Sequence, residues 1–140
     1  GDNDTVSVID LTAKPPRVVE TVSVGPTPEG LKLSADGKWL AVTVMNGSNK
    51  PKASPFFKDN GLLQVWGIAG TKLTKAAETN VGHWCQGVAW SKNSRNVAIQ
   101  CMVEKEIQVF AFGGVTAKGL KSIVKLPVAG GPAGIAVAAK

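Results

Sequence analysis

The sequence predicts an all-β protein built from repeated four-stranded antiparallel units. Its 140 residues include sixteen glycines and eight prolines. Val, Ile and Thr residues lie in short runs, and no long stretch repeats with the 3.6-residue period of a helix. These features favour short strands joined by frequent turns. A hydrophobic content of 44% is enough for a buried core in a chain of single-domain size.

The first two strands and the hairpin after them define the repeating pattern. Residues 5–11 alternate apolar and polar side chains, and residues 17–24 form a second strand after a proline turn. A hairpin follows, because Asp36 and Gly37 separate the apolar runs 31–33 and 39–44. We expect Gly37 to take the positive φ that a three-residue hairpin loop with a bulge requires.

The same ordered set of elements returns further along the chain. A long insertion at 46–60 interrupts the first return. We expect eleven strands in all; the downstream ones are 62–66, 72–81, 87–90, 97–102, 106–110, 120–128 and 134–137.

The spacing of the repeat identifies the architecture. Val8 and Val65 are 57 positions apart, and Val65 and Val109 are 44 apart. Without the insertion of about a dozen residues both spacings approach the roughly 40–45 residues of a β-propeller blade. A β-sandwich also carries many short strands, but it rarely repeats one ordered motif set. The chain 1–140 is therefore predicted to be one propeller segment of about three blades' worth. Its parts are a partial blade 4–25, a blade 26–81 containing the insertion, a blade 82–128 and the start of a fourth blade at 129–140.

An incomplete ring implies partners for its two open ends. Propellers close with about four to eight blades, so each end would expose an apolar blade face. We expect the chain to be a segment of a longer polypeptide, covered by the remainder of its own propeller or by a second copy.

Charge and hydropathy argue against two classes of partner, nucleic acid and a membrane-spanning environment. The net charge of +6 comes mostly from lysines scattered over turns and strand faces, and Arg17 and Arg95 are the only arginines. This pattern is typical of solvated sheet surfaces, whereas a nucleic-acid groove clusters arginines with aromatic residues. No apolar run approaches the roughly 18–20 residues of a membrane span, and no signal peptide is present in this chain.

Motifs for common catalytic chemistry are missing. One histidine and two cysteines sixteen positions apart do not form a metal-ligand pattern. No Gly-x-Ser-x-Gly elbow is present, and the glycine pairs at 113–114 and 130–131 precede no helix that could cradle a phosphate. We therefore predict no cofactor and no metal, and we assign no catalytic residue.

Candidate binding residues come from their position in a blade. The connections that enter inner strands, and those between the second and third strands, lie around the mouth of the central channel. The insertion at 46–60 belongs to the same face. A histidine, a carboxylate, an indole and a long loop at one mouth are the components of a possible ligand site. Alternatively, His83 caps a turn and Trp84 packs under a blade. The residues placed at this mouth are Glu29, Phe56, Phe57, His83, Trp84, Gln86 and Ala133.

The other tryptophans are predicted to belong to the core. Trp39, Trp66 and Trp90 lie on strands beside other apolar residues. An indole there fills the wedge between neighbouring blades.

The repeat resembles the YVTN family of β-propeller repeats. Val-Ile-Asp-Leu at 8–11, a strand ending in Val-Gly at 24–25, Pro-x-Gly at 28–30 and Ser-x-Asp-Gly-Lys at 34–38 carry the resemblance. Residues 61–112 are degenerate, and the Tyr-Val-Thr-Asn signature itself is absent. The resemblance implies a propeller fold and a periplasmic or secreted location, since such relatives include surface-layer and periplasmic proteins, lactonase-like enzymes and dehydrogenase propeller subunits.

Two functional classes remain open. The first is a non-catalytic module that binds or scaffolds a small ligand or a protein at the channel mouth. The second is part of a lactonase-like hydrolase, which should supply further acidic, His or Arg residues from the missing blades. This segment offers only Glu29 and His83 at such positions, so the binding module is preferred.

The second hairpin predicts that Cys85 and Cys101 face one another. If Ser34 lies opposite Lys38, shifting both strands by 57 places Ser91 opposite Arg95 and Cys85 opposite Cys101. Opposed Cα atoms lie roughly 4.5–5.5 Å apart, within reach of a disulfide. Counting from the turn makes this a hydrogen-bonded pair, whose geometry suits a bridge less well. An oxidising compartment favours the bond, and the cytosol favours two thiols.

Overall fold

The computed structural model describes residues 4–115 and 119–138. These residues contain ten strands and no helix, so no helix long and apolar enough to cross a membrane occurs among them. The expected positive φ of Gly37 is present, at 70°. The strands are β1 (Asp4–Asp10), β2 (Arg17–Gly25), β3 (Pro28–Leu33), β4 (Trp39–Val44), β5 (Gly61–Ala69), β6 (Lys72–Val81), β7 (Cys85–Trp90), β8 (Asn96–Cys101), β9 (Glu106–Phe112) and β10 (Leu120–Pro127).

The strands form three antiparallel sheets in chain order. β1 pairs with β2, β3 to β6 form a four-stranded sheet, and β7 to β10 form another. The first strands of the two larger sheets, β3 and β7, lie against each other. The predicted class is confirmed: the protein is all-β, with four-stranded antiparallel units arranged as part of a propeller rather than as a closed barrel.

The core lies between successive sheets. One cluster joins the two larger sheets and includes Leu63, Val65 and Ile99, while a second joins β1 and β2 to the middle sheet through Val24 and Val42. The middle sheet is therefore buried on both faces, one against each neighbouring sheet.

The three strand tryptophans pack against this core as predicted. Trp66 and Trp90 are buried, and the half-buried Trp39 packs against the first cluster. Phe112 holds two of them in edge-to-face contacts, with ring centroids 4.8 Å from Trp39 and 5.7 Å from Trp90. The Trp90 indole N–H also donates to the Lys32 carbonyl oxygen at 3.0 Å, so one tryptophan spans the boundary between the larger sheets.

The expected eleventh strand is not formed. Residues 131–138 belong to no strand, although the motif Gly134-Ile135-Ala136-Val137 repeats the start of β7. A strand needs a hydrogen-bonding partner, and the described residues offer none to this segment. Residues 139–140 of the expected fourth blade lie outside the described residues.

The cysteines face one another as predicted, but in a different register. Cys85 pairs with Cys101, and a disulfide joins them with their Cα atoms 4.0 Å apart. In both hairpins the pairing is one residue longer than expected, so Ser34 N–H donates to the Trp39 oxygen rather than lying opposite Lys38. An irregularity between Cys85 and Val88 restores the predicted cysteine pairing.

This irregularity also changes the type of pair. Met102 N–H donates to the Trp84 oxygen at 3.2 Å, which places the hydrogen bonds on the neighbouring residues. Cys85 and Cys101 are therefore a non-hydrogen-bonded pair, the closer of the two kinds. The expectation of a hydrogen-bonded pair was wrong, because the bulge moves the alternation by one residue.

Candidate functional site

Three connections meet at one end of the larger sheets. They are the insertion between β4 and β5, the loop between β6 and β7, and the turn between β8 and β9. Antiparallel strands alternate in direction, so every connection that follows an even-numbered strand lies at the same end. This end corresponds to the predicted channel mouth.

The insertion is a compact loop rather than an open excursion. Asn46 donates from Nδ2 to the Asn60 oxygen at 3.2 Å and so joins the two ends of the loop. Gly47 has φ of 90°, and a Cβ there would overlap the Phe56 carbonyl oxygen. A residue with a side chain would be strained and obstructed at this position. The loop therefore holds Phe56 and Phe57 close to the body of the protein.

His83 is the residue that joins the three connections. Its Nδ1 lies 2.6 Å from Glu104 Oε1, and its Nε2 lies 3.1 Å from Asp59 Oδ1. The His83 backbone N–H donates to both Glu104 oxygens at 2.9 Å. The Phe57 ring stacks on the imidazole with centroids 6.2 Å apart. His83 thus binds the insertion through Asp59 and Phe57 and the β8–β9 turn through Glu104; we call His83, Glu104 and Asp59 the histidine clamp.

The clamp favours the charged imidazolium. The hydrogen bond to Glu104 raises the pKa of His83; partial burial opposes this, and Asp59 adds to it. Burial acts to raise the pKa of Glu104, but the hydrogen bonds from the His83 ring and backbone lower it overall. Both ring nitrogens face carboxylate oxygens, so the imidazolium is the form that can donate to both partners at once.

Trp84 is fixed through its backbone rather than through its ring. It has a positive φ of 51°, and its N–H donates to Ser48 Oγ of the insertion at 3.1 Å. The residue as a whole is 38% exposed. The alternative in which Trp84 packs under a blade is therefore wrong, and the ring lies at the surface of the mouth.

A cavity of about 490 Å³ lies beneath the insertion. Aromatic and proline carbons form much of its wall, and two lysines and one carboxylate lie at it. Phe56 is 61% exposed, so the cavity opens at an unusually exposed aromatic ring. The lining residues are Asp4, Pro26, Thr27, Asn46, Gly47, Lys50, Pro55, Phe56, Phe57 and Lys58. We call this cavity the insertion pocket.

A second cavity of about 400 Å³ borders the histidine clamp on the side of β9 and β10. It contains Asp59, His83 and Glu104 together with Lys125. Its carboxylates are already paired with His83, and Lys125 binds Glu106 at 3.1 Å. Each of these charged side chains therefore already has an ionic partner.

The remaining predicted residues do not join the insertion pocket. Glu29 is exposed on β3, and Ala133 lies in the segment without strand structure. Gln86 is half-buried, and its carbonyl oxygen accepts the Thr43 hydroxyl at 2.5 Å. The structure therefore brings together Phe56, Phe57, His83 and Trp84 around the insertion, whereas Glu29, Gln86 and Ala133 line the boundary between sheets or lie apart.

Glu104 and Asp59 were not among the predicted site residues. Glu104 lies in the connection between β8 and β9, which corresponds to the insertion in the preceding sheet. The rule that placed the insertion at the mouth would have placed Glu104 there as well. Asp59 was part of the insertion, but no sequence signal assigns it as the partner of His83.

Comparisons with known proteins support the fold and leave the family open. No protein-family model matches the sequence, and no curated protein matches it. The structure is similar to a "putative 6-phosphogluconolactonase" from Bacteroides fragilis, with 20% identity and a TM-score of 0.65 over 85% of this chain. It is also similar to hydrazine synthase from Kuenenia stuttgartiensis, with 16% identity and a TM-score of 0.68 over 94% of this chain. The chain spans 32% and 45% of these two longer chains, and at such low identity the likeness concerns the fold alone.

Proposed function

We propose that the chain is part of a non-catalytic β-propeller binding module whose insertion pocket takes a small organic anion with an aromatic or apolar body. The observation that carries this proposal is the pairing of the pocket with the histidine clamp. The clamp holds the insertion over an open cavity and uses both ring nitrogens of the histidine to do so. The contacts of the clamp therefore organise the loop for binding.

The lining of the pocket supports this class of ligand. Phe56 and Phe57 offer ring faces, and Pro26 and Pro55 add apolar wall. Pockets of this kind gain affinity from apolar contact and orientation from a few polar groups. The polar groups that could orient a ligand include two ammonium groups, since Lys50 and Lys58 lie at the same cavity. Lys58 Nζ donates to Asn46 Oδ1 at 3.2 Å, which fixes that ammonium at the pocket wall.

A lactonase-like hydrolase is the alternative raised by the sequence. The fold likeness to the Bacteroides fragilis protein is compatible with it, but the fold does not carry the activity. A hydrolase of this kind needs a group that accepts a proton from water, and both ring nitrogens of His83 are engaged by Glu104 and Asp59. Slow or absent hydrolysis of a simple lactone by the protein is therefore expected.

We further propose a YVTN-type repeat in a periplasmic or secreted protein. The buried disulfide between Cys85 and Cys101 supports this location, because disulfides persist in oxidising compartments. The repeat type rests on the motif order at residues 8–38.

Titration with 2-naphthoate tests the proposed ligand class. We expect saturable binding, measured by chemical-shift changes at residues 46–58, that weakens as salt is added because part of the attraction is ionic. Phe56→Ala should weaken binding about tenfold, since aromatic anchors dominate small interfaces. Lys50→Gln should weaken it several-fold and reduce the salt dependence.

Leu11→Ala is the matched control. Leu11 is 77% exposed and lies outside the insertion pocket, so its truncation removes a similar apolar area without touching the site. Naphthalene, which lacks the carboxylate, should bind more weakly than 2-naphthoate. An equal loss of affinity in Phe56→Ala and Leu11→Ala, or shifts confined to the sheet faces, would contradict the proposal.

A further inference from the structure

Thr43 ties one sheet of this protein to the next. It is fully buried on β4, and its hydroxyl donates to the Gln86 carbonyl oxygen at 2.5 Å across the sheet boundary. The Thr43 hydroxyl oxygen in turn accepts the Gly30 N–H at 3.0 Å. The absence of a side chain at Gly30 allows this contact between the sheets, because a Cβ there would overlap the Gln86 carbonyl oxygen. The bond thus passes a glycine of β3 and reaches the residue that precedes the first glycine of β7.

Gln100 occupies the corresponding position in the next sheet. It lies on β8, 57 residues after Thr43, as Gly87 lies 57 residues after Gly30. Thr43 Oγ1 is 2.9 Å from the Cβ position of Gly30, and Gln100 Nε2 is 2.9 Å from that of Gly87. The two side chains therefore reach past their glycines in the same way.

The side-chain nitrogen of Gln100 is buried without a hydrogen-bond partner among the described residues. The residue is 1% exposed, and its Nε2 has no hydrogen-bond partner within residues 4–115 and 119–138. Buried polar groups are almost always paired, because an unpaired one has lost its water without replacement. The Thr43 interface shows which group is missing, namely the carbonyl oxygen that precedes the next glycine-led strand.

The segment 131–138 already lies beside this face. Ile135 Cγ2 is 3.0 Å from the Cβ position of Gly87, and Met102 Cγ is 2.9 Å from that of Gly131. Ile135 to Val137 also border a cavity of about 390 Å³ whose other wall includes Trp90. The segment follows β7 without the hydrogen bonds of a strand and leaves a gap against it.

We propose that this face of the β7–β10 sheet is the docking surface for the inner strand of a further blade, formed by residues 133–137, in which Gln100 Nε2 donates to the Ala133 carbonyl oxygen. Ala133 precedes Gly134 as Gln86 precedes Gly87. Docking in the manner of β7 on β3 pairs the free amide and closes the cavity beside Trp90. The segment becomes a strand when an antiparallel neighbour pairs with its free edge.

The neighbour comes from a further blade of the same polypeptide. The two solved structures that share the fold are longer, and this chain spans 32% and 45% of them. A four-stranded blade that starts with 133–137 needs three more strands. A second copy would offer the two-stranded β1–β2 sheet, which is one strand short.

Gln100→Met tests the proposal in two versions of the protein: the 140-residue chain, and the same chain followed by the roughly 40–45 residues of the next blade. Met keeps the length of Gln but cannot donate. In the short chain the substitution should raise the folding equilibrium constant about fivefold, because it removes an unpaired buried amide. In the longer chain it should lower that constant about tenfold, because the Ala133 carbonyl oxygen loses its donor. Thr43→Val, the matched control, should lower it in both versions.

Hydrogen exchange at residues 134–137 provides a second readout, because it reports the opening of this segment itself. These amides should exchange freely in the short chain and be protected at least a hundredfold in the longer one. A Gln100→Met effect of the same sign in both versions would overturn the proposed bond. Protection of 134–137 in a dimer of the short chain would instead assign the surface to a second copy and overturn the proposed occupant.

Discussion

Glu104→Gln is the change that examines the histidine clamp most directly. The carboxylate accepts the His83 ring N–H at 2.6 Å and the backbone N–H at 2.9 Å, and both side chains are 26% exposed. A hydrogen bond to a charged group contributes about 1.5–3 kcal/mol, and partial exposure reduces this value. Gln retains an acceptor for the backbone N–H but loses the charge opposite the ring. We therefore expect a loss of about 1.5–2 kcal/mol in the free energy of unfolding near pH 6.

The size of this loss should depend on pH in a defined direction. The pKa of His83 is raised above its ordinary value of 6.5, so its contribution is complete below pH 6.5 and is lost as the pH rises through the raised pKa. The pKa of Glu104 is lowered from 4.5, so its contribution is present above pH 4.5 and is lost as the pH falls through the lowered pKa. The clamp is strongest between about pH 4.5 and 6.5, and Glu104→Gln should cost less at pH 8.5.

Urea unfolding of the wild type and the variant at pH 6 and pH 8.5 measures both effects. Lys75→Gln is the control, because Lys75 and Glu78 form an exposed pair at 3.0 Å that contributes at most about 0.5 kcal/mol. An equal cost of Glu104→Gln at both pH values would refute the charged clamp. A larger cost of Glu104→Gln at pH 8.5 than at pH 6 would refute the sign of the His83 pKa shift.

Two further predictions concern the sheets that carry the site. Cys85 and Cys101 lie sixteen residues apart in sequence. Reduction of their disulfide should lower the free energy of unfolding by about 3 kcal/mol, because it increases the conformational entropy of the unfolded chain. Unfolding curves with and without reductant measure this loss, and superimposable curves would contradict it. Gly30→Ala should cost about 2–4 kcal/mol, because its Cβ would overlap the Gln86 carbonyl oxygen and force the two sheets apart. Gly130→Ala, whose Cβ would meet no atom within 4 Å, should change stability by less than about 0.5 kcal/mol, and equal effects of the two substitutions would contradict the close approach of the sheets.

The hairpins show how far a sequence repeat can be extended into register. Asp36-Gly37 locates the first turn, and the 57-residue shift locates the second, where Ser94 takes a positive φ of 57° in the place of Gly37. The predicted register across each turn was wrong by one residue, because the same turn sequence is compatible with a four-residue connection and with a three-residue loop that contains a bulge. The cysteine pairing survived because the irregularity after Cys85 shifts the register back by one residue.

The candidate site was only partly accessible from sequence. The position of a loop in the repeat was enough to place Phe56, Phe57, His83 and Trp84 at one end of the sheets. The same reasoning did not separate Glu29, whose side chain is exposed on β3, from residues that line the insertion pocket. Which side chains meet depends on how the insertion folds back, and Gly47 controls that fold through a backbone contact with no sequence periodicity.

The sequence by itself determined the class of this protein. Alternating apolar residues, turn glycines and a repeat of fixed order specify antiparallel strands and their succession, since these are local properties of the chain. The tertiary structure decided which groups the repeat brings into contact. It paired His83 with Glu104 and Asp59 from connections 21 and 24 residues away, and it left Gln100 Nε2 unpaired within the described residues. Contacts of this kind depend on the stacking of whole sheets and on distances of a few ångströms, which no local pattern encodes.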